Sequence, residues 1–128
     1  MILCDTNVLI EFYKNNPQVT ADLRQIGLRN LAVSVITVAE LYYGAFNKAE
    51  LREIKKHLAL MHQISVTRDI SLRFLDLMET YALSHRPGIP DLLIAATAID
   101  HDLTLFTLNV KDFRFITDLT IHEHTTTL

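Results

Sequence analysis

Apolar residues in this chain fall into short unbroken blocks separated by stretches of helical spacing. Ile2, Leu3 and Cys4 form the first block, a wholly apolar run of the kind expected in the centre of a parallel sheet covered on both faces. Asp5 then stands at a strand's carboxyl end. Thr6 and Asn7 are helix-capping types, and Val8, Leu9, Ile10, Phe12 and Tyr13 give the following helix an apolar surface. Asn15, Asn16 and Pro17 make a turn, and Val19, Leu23 and Ile26 predict a second helix over residues 17–27. Residues 31–36 are rich in β-branched side chains and predict a second buried strand. It leads into Thr37-Val-Ala-Glu40, which has the capping-box pattern and predicts a helix beginning there.

From Leu41 to Met61 the spacing is again helical. Gly44 and Asn47 interrupt it, so two helices in a hairpin are expected, with Lys48, Glu50, Arg52, Glu53, Lys55 and Lys56 on a solvated face. Leu41, Tyr42, Tyr43 and Phe46 read most simply as core. Residues 64–66 predict a third strand, and Thr67 or Asp69 caps a helix that carries Leu72, Leu75, Leu77, Met78, Tyr81 and Leu83 and stops at residues 85–88. Pro90 suits the first turn of another helix, small-sided at Ala95, Ala96 and Ala98 and able to lie close to a sheet, with Asp91 in its first turn. Residues 103–107 predict a fourth strand, residues 109–115 a turn or short helix, and residues 120–122 a short edge strand. Strands alternating with helices imply an α/β fold around a mostly parallel sheet of four to five short strands.

Composition narrows the picture. With 128 residues, 49% of them hydrophobic, and only three Gly and three Pro, the chain fits a single folded domain over residues 1–128 without a linker. No apolar run approaches the roughly 18 residues of a membrane span, and no secretory leader is visible, so a cytoplasmic protein is expected. The one cysteine, Cys4, excludes an internal disulfide and suits strand packing. A net charge of -3 counts only weakly against nucleic acid, because acids gathered around a metal would present phosphate with a cation.

Four acids occupy equivalent topological places: Asp5 after the first strand, Glu40 after the second, Asp91 at the start of a late helix and Asp112 after the fourth strand. Ligands of open parallel sheets bind outside the strands' carboxyl ends. Singly, each acid has an ordinary explanation: Asp5 as a turn cap, Glu40 in its capping box, Asp91 at the positive end of a helix, Asp112 in a turn. Together they would repel one another unless a hard divalent cation held them.

Four segments in order, Ile2-Leu-Cys-Asp-Thr-Asn-Val-Leu-Ile10, Ser34-Val-Ile-Thr-Val-Ala-Glu-Leu-Tyr-Tyr-Gly44, Pro90-Asp-Leu-Leu-Ile-Ala-Ala-Thr-Ala98 and Leu105-Phe-Thr-Leu-Asn-Val-Lys-Asp-Phe113, resemble PIN domains. They resemble in particular the VapC-type toxins of toxin-antitoxin pairs. The resemblance implies a three-layer fold and a Mg²⁺- or Mn²⁺-dependent endoribonuclease. Asp5 and Asp91 would be the principal metal ligands, Glu40 a ligand or the orienter of the attacking water, and Asp112 the fourth acid. Thr6 and Asn7, and Thr107 and Asn109 at the last corner, would support them. Some relatives carry an acid where this chain has Asn109, which favours one tightly held metal with a second recruited by substrate phosphate. The resemblance also implies a homodimer and an antitoxin partner that lays an apolar segment across the toxin.

Arg86 and Lys111 flank the motifs of Asp91 and Asp112 and are the strongest candidates for phosphate contact. The other basic residues, Lys14, Lys48, Arg52, Lys55, Lys56 and Arg114, read as solvated. His122 and His124 are the tightest histidine pair but lack a third ligand, and His57 and His62 lie five apart on an expected helix, so surface histidines explain all of them better. The alternatives are a catalytically silent PIN-like module that binds RNA or protein, and an aspartyl-phosphate phosphatase with Asp5 as nucleophile. The latter wants a second acid at position 7, which is Asn. A P-loop enzyme is excluded by the absence of a glycine-rich loop.

Overall fold

A computed structural model of the chain describes residues 1–123. Four strands, β1 (Ile2–Cys4), β2 (Leu31–Ser34), β3 (His62–Ile64) and β4 (Thr104–Phe106), form one parallel sheet in the order β3-β2-β1-β4. Six helices flank it: α1 (Thr6–Tyr13), α2 (Pro17–Ile26), α3 (Val35–Tyr43), α4 (Lys48–Leu58), α5 (Arg68–His85) and α6 (Ile89–Asp100). The expected α/β fold is what the chain adopts. Beyond β4, Ile121 makes a single parallel bridge with Leu105, all that forms of the fifth strand among the described residues. No helix among the described residues is long and apolar enough to cross a membrane.

The strands' period of two builds three layers. Cys4, Leu31, Val33 and Phe106 face one way and pack with Val8 and Leu9 of α1, Val19 and Leu23 of α2, Val38 and Leu41 of α3, and Ile54 and Leu58 of α4. Leu3, Ala32 and Leu105 face the other way, onto Leu92, Ile94, Ala95 and Ala98 of α6. The alanines let α6 lie against the sheet, and α5 packs outside it through Phe74, Leu77, Met78 and Tyr81. Helices contributed from both layers therefore reach the same edge of the sheet.

Three expectations are corrected. The second strand ends at Ser34 rather than at residue 36, and Ser34 caps α3, its hydroxyl accepting from the N–H groups of Ile36 and Thr37 at 3.1 and 3.3 Å. Thr37 is thus inside the first turn, and no capping box forms with Glu40. The third strand occupies residues 62–64 instead of 64–66: it is an edge strand with exposed His62 and Gln63, so apolar content was a poor guide to its register. Of the stretch read as core, Leu41 is buried, but Tyr43 is 94% exposed and Phe46 88% exposed at the α3–α4 corner.

The histidines also differ from expectation. His62 lies on β3, not on a helix. His57 is half-buried, its ring stacked on Phe12 at 5.1 Å and bonded to the Tyr13 hydroxyl at 2.8 Å, and burial lowers its pKa. His122 is half-buried against Phe106, at 4.7 Å, while His124 falls outside the described residues.

Candidate active site

β1 is the strand at which the sheet order reverses, since the chain builds outward to β2 and β3 on one side and returns to β4 on the other. Such a switch point leaves a crevice at the strand ends. Asp5 sits there, 5% exposed, its N–H donating to the Phe106 carbonyl of β4 at 2.8 Å. Its two carboxylate oxygens have different partners. Oδ1 accepts from the Thr6 N–H at 2.8 Å, capping α1, and Oδ2 accepts from the Thr107 hydroxyl at 2.8 Å.

Thr107, only 1% exposed, uses its whole hydrogen-bonding capacity. Its hydroxyl donates to Asp5 and accepts from the Asn109 N–H at 3.1 Å and from Asn7 Nδ2 at 3.5 Å. Asn7 Oδ1 accepts in turn from the Leu108 N–H at 3.2 Å, tying α1 to the segment after β4. Asn7, Thr107 and Asn109, all expected near the site, thus form one network around Asp5.

Glu40 is the sixth residue of α3 and exposed. Its Oε1 accepts from the Thr6 hydroxyl at 2.8 Å, and Thr6 in turn contacts the Thr37 hydroxyl at 3.2 Å. This removes the capping explanation for Glu40 and joins it through Thr6 to the Asp5 corner. Thr37, expected as a helix cap, was not expected in this relay.

Asp91 stands in the first turn of α6, behind Gly88, which caps the helix without a side chain. A Cβ at Gly88 would lie 3.4 Å from Asp91 Oδ2, in contact with that oxygen. Asp112 closes a single 3-10 turn at Val110–Asp112 and is exposed. These two acids line a cavity of about 330 Å³ together with Arg86 and Lys111, the two cations expected beside them.

The acids sense one another electrostatically. Burial raises the Asp5 pKa above the usual carboxylate range, the Thr107 hydroxyl and Thr6 N–H hold it down in part, and Glu40 and Asp112 push it further up. Asp91 is pushed up to about 6 by burial first, then by Asp5, Asp112 and Glu40, with no cation among the influences on it. This is the pattern of carboxylates placed together without a compensating cation. Among the described residues, however, no three acid, histidine or cysteine side chains converge tightly enough to chelate an ion directly. The donor set therefore fits an ion that keeps most of its waters and takes one or two carboxylates, as Mg²⁺ does, better than a closed protein cage.

A parallel α/β sheet with carboxylates gathered at its switch point defines a class, and comparison with known proteins gives the family. Residues 2–117 match the PIN domain, and the chain belongs to that family. It is 42% identical over 117 residues to Ribonuclease VapC10 of Mycobacterium tuberculosis, covering 88% of this chain and 86% of the relative. It is 35% identical over 124 residues to Ribonuclease VapC1 of Haemophilus influenzae strain R2866, covering 91% and 92%. The structure of VapBC-1 from nontypeable Haemophilus influenzae superposes with a TM-score of 0.85 at 34% identity, covering 98% of this chain and 100% of that one. A toxin-antitoxin complex from Klebsiella pneumoniae gives 0.81 at 29% identity, covering 94% and 96%.

Proposed function

We propose that this protein is a ribonuclease toxin that hydrolyses RNA phosphodiester bonds inside the chain with a divalent cation, Mg²⁺ or Mn²⁺. The observation that carries the reading is the gathering of Asp5, Glu40, Asp91 and Asp112 at the switch point, with the Asp91 carboxyl raised and no protein cation offsetting it. Relatives named as ribonucleases give the substrate class. Asp5 and Asp91 are the principal candidates to hold the cation, with Glu40 and Asp112 completing its surroundings. When bound there, the cation supplies hydrolytic water at neutral pH and neutralises charge on the phosphate.

The protein's own groups do the rest. Thr107, with Asn7 and Asn109 behind it, fixes the Asp5 carboxylate in one orientation. Glu40, held by the Thr6 hydroxyl, orients the attacking water and takes its proton as the water oxygen adds to phosphorus. The bond from phosphorus to the 3′-oxygen breaks, leaving a 3′-hydroxyl and a 5′-phosphate. Arg86 and Lys111 hold the RNA phosphates in the adjoining cavity. The substrate puts the site of action in the cytoplasm.

An antitoxin related to VapB is the partner this reading requires, since the structural relatives include VapBC complexes. A groove of about 710 Å³ between α1, α3 and α4, lined by Phe12, Tyr13, Leu41, Ile54 and Glu40, offers an apolar segment a place next to the acids. Homodimerisation belongs to the same reading and is checked by the mass of the isolated protein in solution. The second reading, a silent binding module, lacks an observation in its favour, because all four acids are present at the crevice.

The deciding experiment is cleavage of a mixed RNA pool with Mg²⁺ or Mn²⁺ by wild type, Asp5→Asn and Asp91→Asn, with folding of each checked by circular dichroism. Metal-dependent cutting with 5′-phosphate ends, lost in both variants, is expected. Folded wild type that neither binds the cation nor cuts would return the silent module to the front.

A further inference from the structure

The cavity beside Asp91 and Asp112 has a wall that the hydrolytic chemistry does not use. His85, the last residue of α5, stacks face to face on Phe115 with ring centroids 4.2 Å apart and planes inclined by 14°. Its Nδ1 lies 2.7 Å from the Ser84 hydroxyl. Tyr81, one turn earlier, meets both rings edge-on, His85 at 5.7 Å and Phe115 at 5.0 Å. One face of the imidazole is thus covered, and its edge is fixed, yet the residue is exposed and lines the cavity with Phe115.

A flat ring pinned on one face and open on the other is a ready surface for another flat ring, because little side-chain entropy remains to be lost when something stacks on it. The backbone adds a second feature. Arg86 ends α5 in the left-handed conformation, φ 48° and ψ 49°, its N–H donating to the Ala82 carbonyl. A non-glycine residue pays about 1–2 kcal/mol to sit there. The turn carries Arg86 out of the helix and onto the cavity rim, which it shares with Lys111. Aromatic ring, two cations and two acids therefore surround a space of about 330 Å³, at the small end of ligand sites. Single-stranded nucleic acid is bound by this combination, with bases stacked on aromatic rings and phosphates held by basic side chains.

We propose that the His85–Phe115 stack is a base platform: the base of one unpaired RNA nucleotide beside the cleaved bond stacks on the open face of His85, while Arg86 and Lys111 grip its phosphate. The platform rests on the ribonuclease reading for its substrate class. It makes His85 a specificity-determining residue, setting which position of the strand is read relative to the cut.

The test uses single-stranded RNA hexamers with 2-aminopurine, whose fluorescence stacking quenches, placed at each position in turn. Binding to folded wild type, His85→Leu and His85→Phe is followed with Mg²⁺ present by stopped flow, before cutting. The expected result is quenching at one position by wild type, affinity weakened about tenfold in His85→Leu, and recovery to within about threefold in His85→Phe, which keeps a stacking face. Mapping the ends cut from a random pool should show base preference lost at that same position in His85→Leu. Quenching and affinity in His85→Leu equal to wild type, or no quenching at any position, would overturn the platform. An uncut pool with His85-dependent quenching intact would instead support the platform and overturn the ribonuclease reading.

Discussion

The two sides of the acid crevice are built on opposite principles. On the β1–β4 side, Asp5 is buried and both its oxygens are engaged, and Thr107 behind it spends every hydrogen-bonding site it has. On the α6 side, Asp91 sits half-buried behind a side-chain-free cap, raised to about 6 first by burial and then by neighbours of its own sign. The first side is completed by folding. The second is left electrostatically unfinished, which costs the protein stability and, on the proposed function, is offset by a bound cation. Active sites commonly carry such a cost, and removing it should raise stability while removing function.

The sharpest break of this contrast is Asp91→Asn. Cleavage should fall by about a thousandfold, a typical scale for loss of electrostatic catalysis, while the metal-free protein melts at a higher temperature than wild type. Cleavage rates and thermal melts in EDTA check both halves. On the finished side the effect should be on the fold. Thr107→Val keeps the shape but leaves the Asp5 Oδ2, the Asn7 amide and the Asn109 N–H without a partner, and should cost about 2–3 kcal/mol by urea unfolding.

A pH series on wild type and Asp91→Asn isolates the contribution of the α6 side. The folded-state pKa of Asp91 lies above the 3.8 of an unperturbed Asp, so the folded protein holds this proton more tightly than the unfolded one. Its contribution to stability is complete below pH 3.8 and is lost as pH rises through about 6. Asp5 is shifted in the same direction. Melting temperature in EDTA should therefore decline across that window relative to Asp91→Asn, and Mg²⁺ should flatten the decline. The smallest expected effect is at Gly88→Ala. Its backbone, φ -68° and ψ 141°, suits alanine, so folding should hold, and the new methyl only comes into contact with Asp91 Oδ2, so cleavage should change by no more than about twofold.

Much of the finished side was legible in the sequence. An unbroken apolar block followed by Asp, Thr and Asn marks a buried strand feeding a capped helix, and Asp5 does cap α1. What misled was chemistry with two uses. Ser34 and Thr37 are both caps by type and both fully buried, and only the end of β2 at Ser34 decides between them. Tyr43 and Phe46 continue an apolar run, yet they lie past the point where α3 leaves the core. His85 and Phe115 are thirty positions apart, so no spacing could announce that they stack. The open side was legible only as a coincidence of acids, because its meaning lies in the absence of compensation, which is a property of the fold.

Whether the α6 side holds a cation is decided by Mn²⁺ binding at pH 7.5, followed by electron paramagnetic resonance. Wild type should take up the ion, with affinity weakened at least tenfold in Asp91→Asn and Asp5→Asn and little changed in a control such as Tyr43→Ala. Equal Mn²⁺ uptake by wild type and both aspartate variants, or none by folded wild type, would mean that Asp5 and Asp91 do not hold a cation.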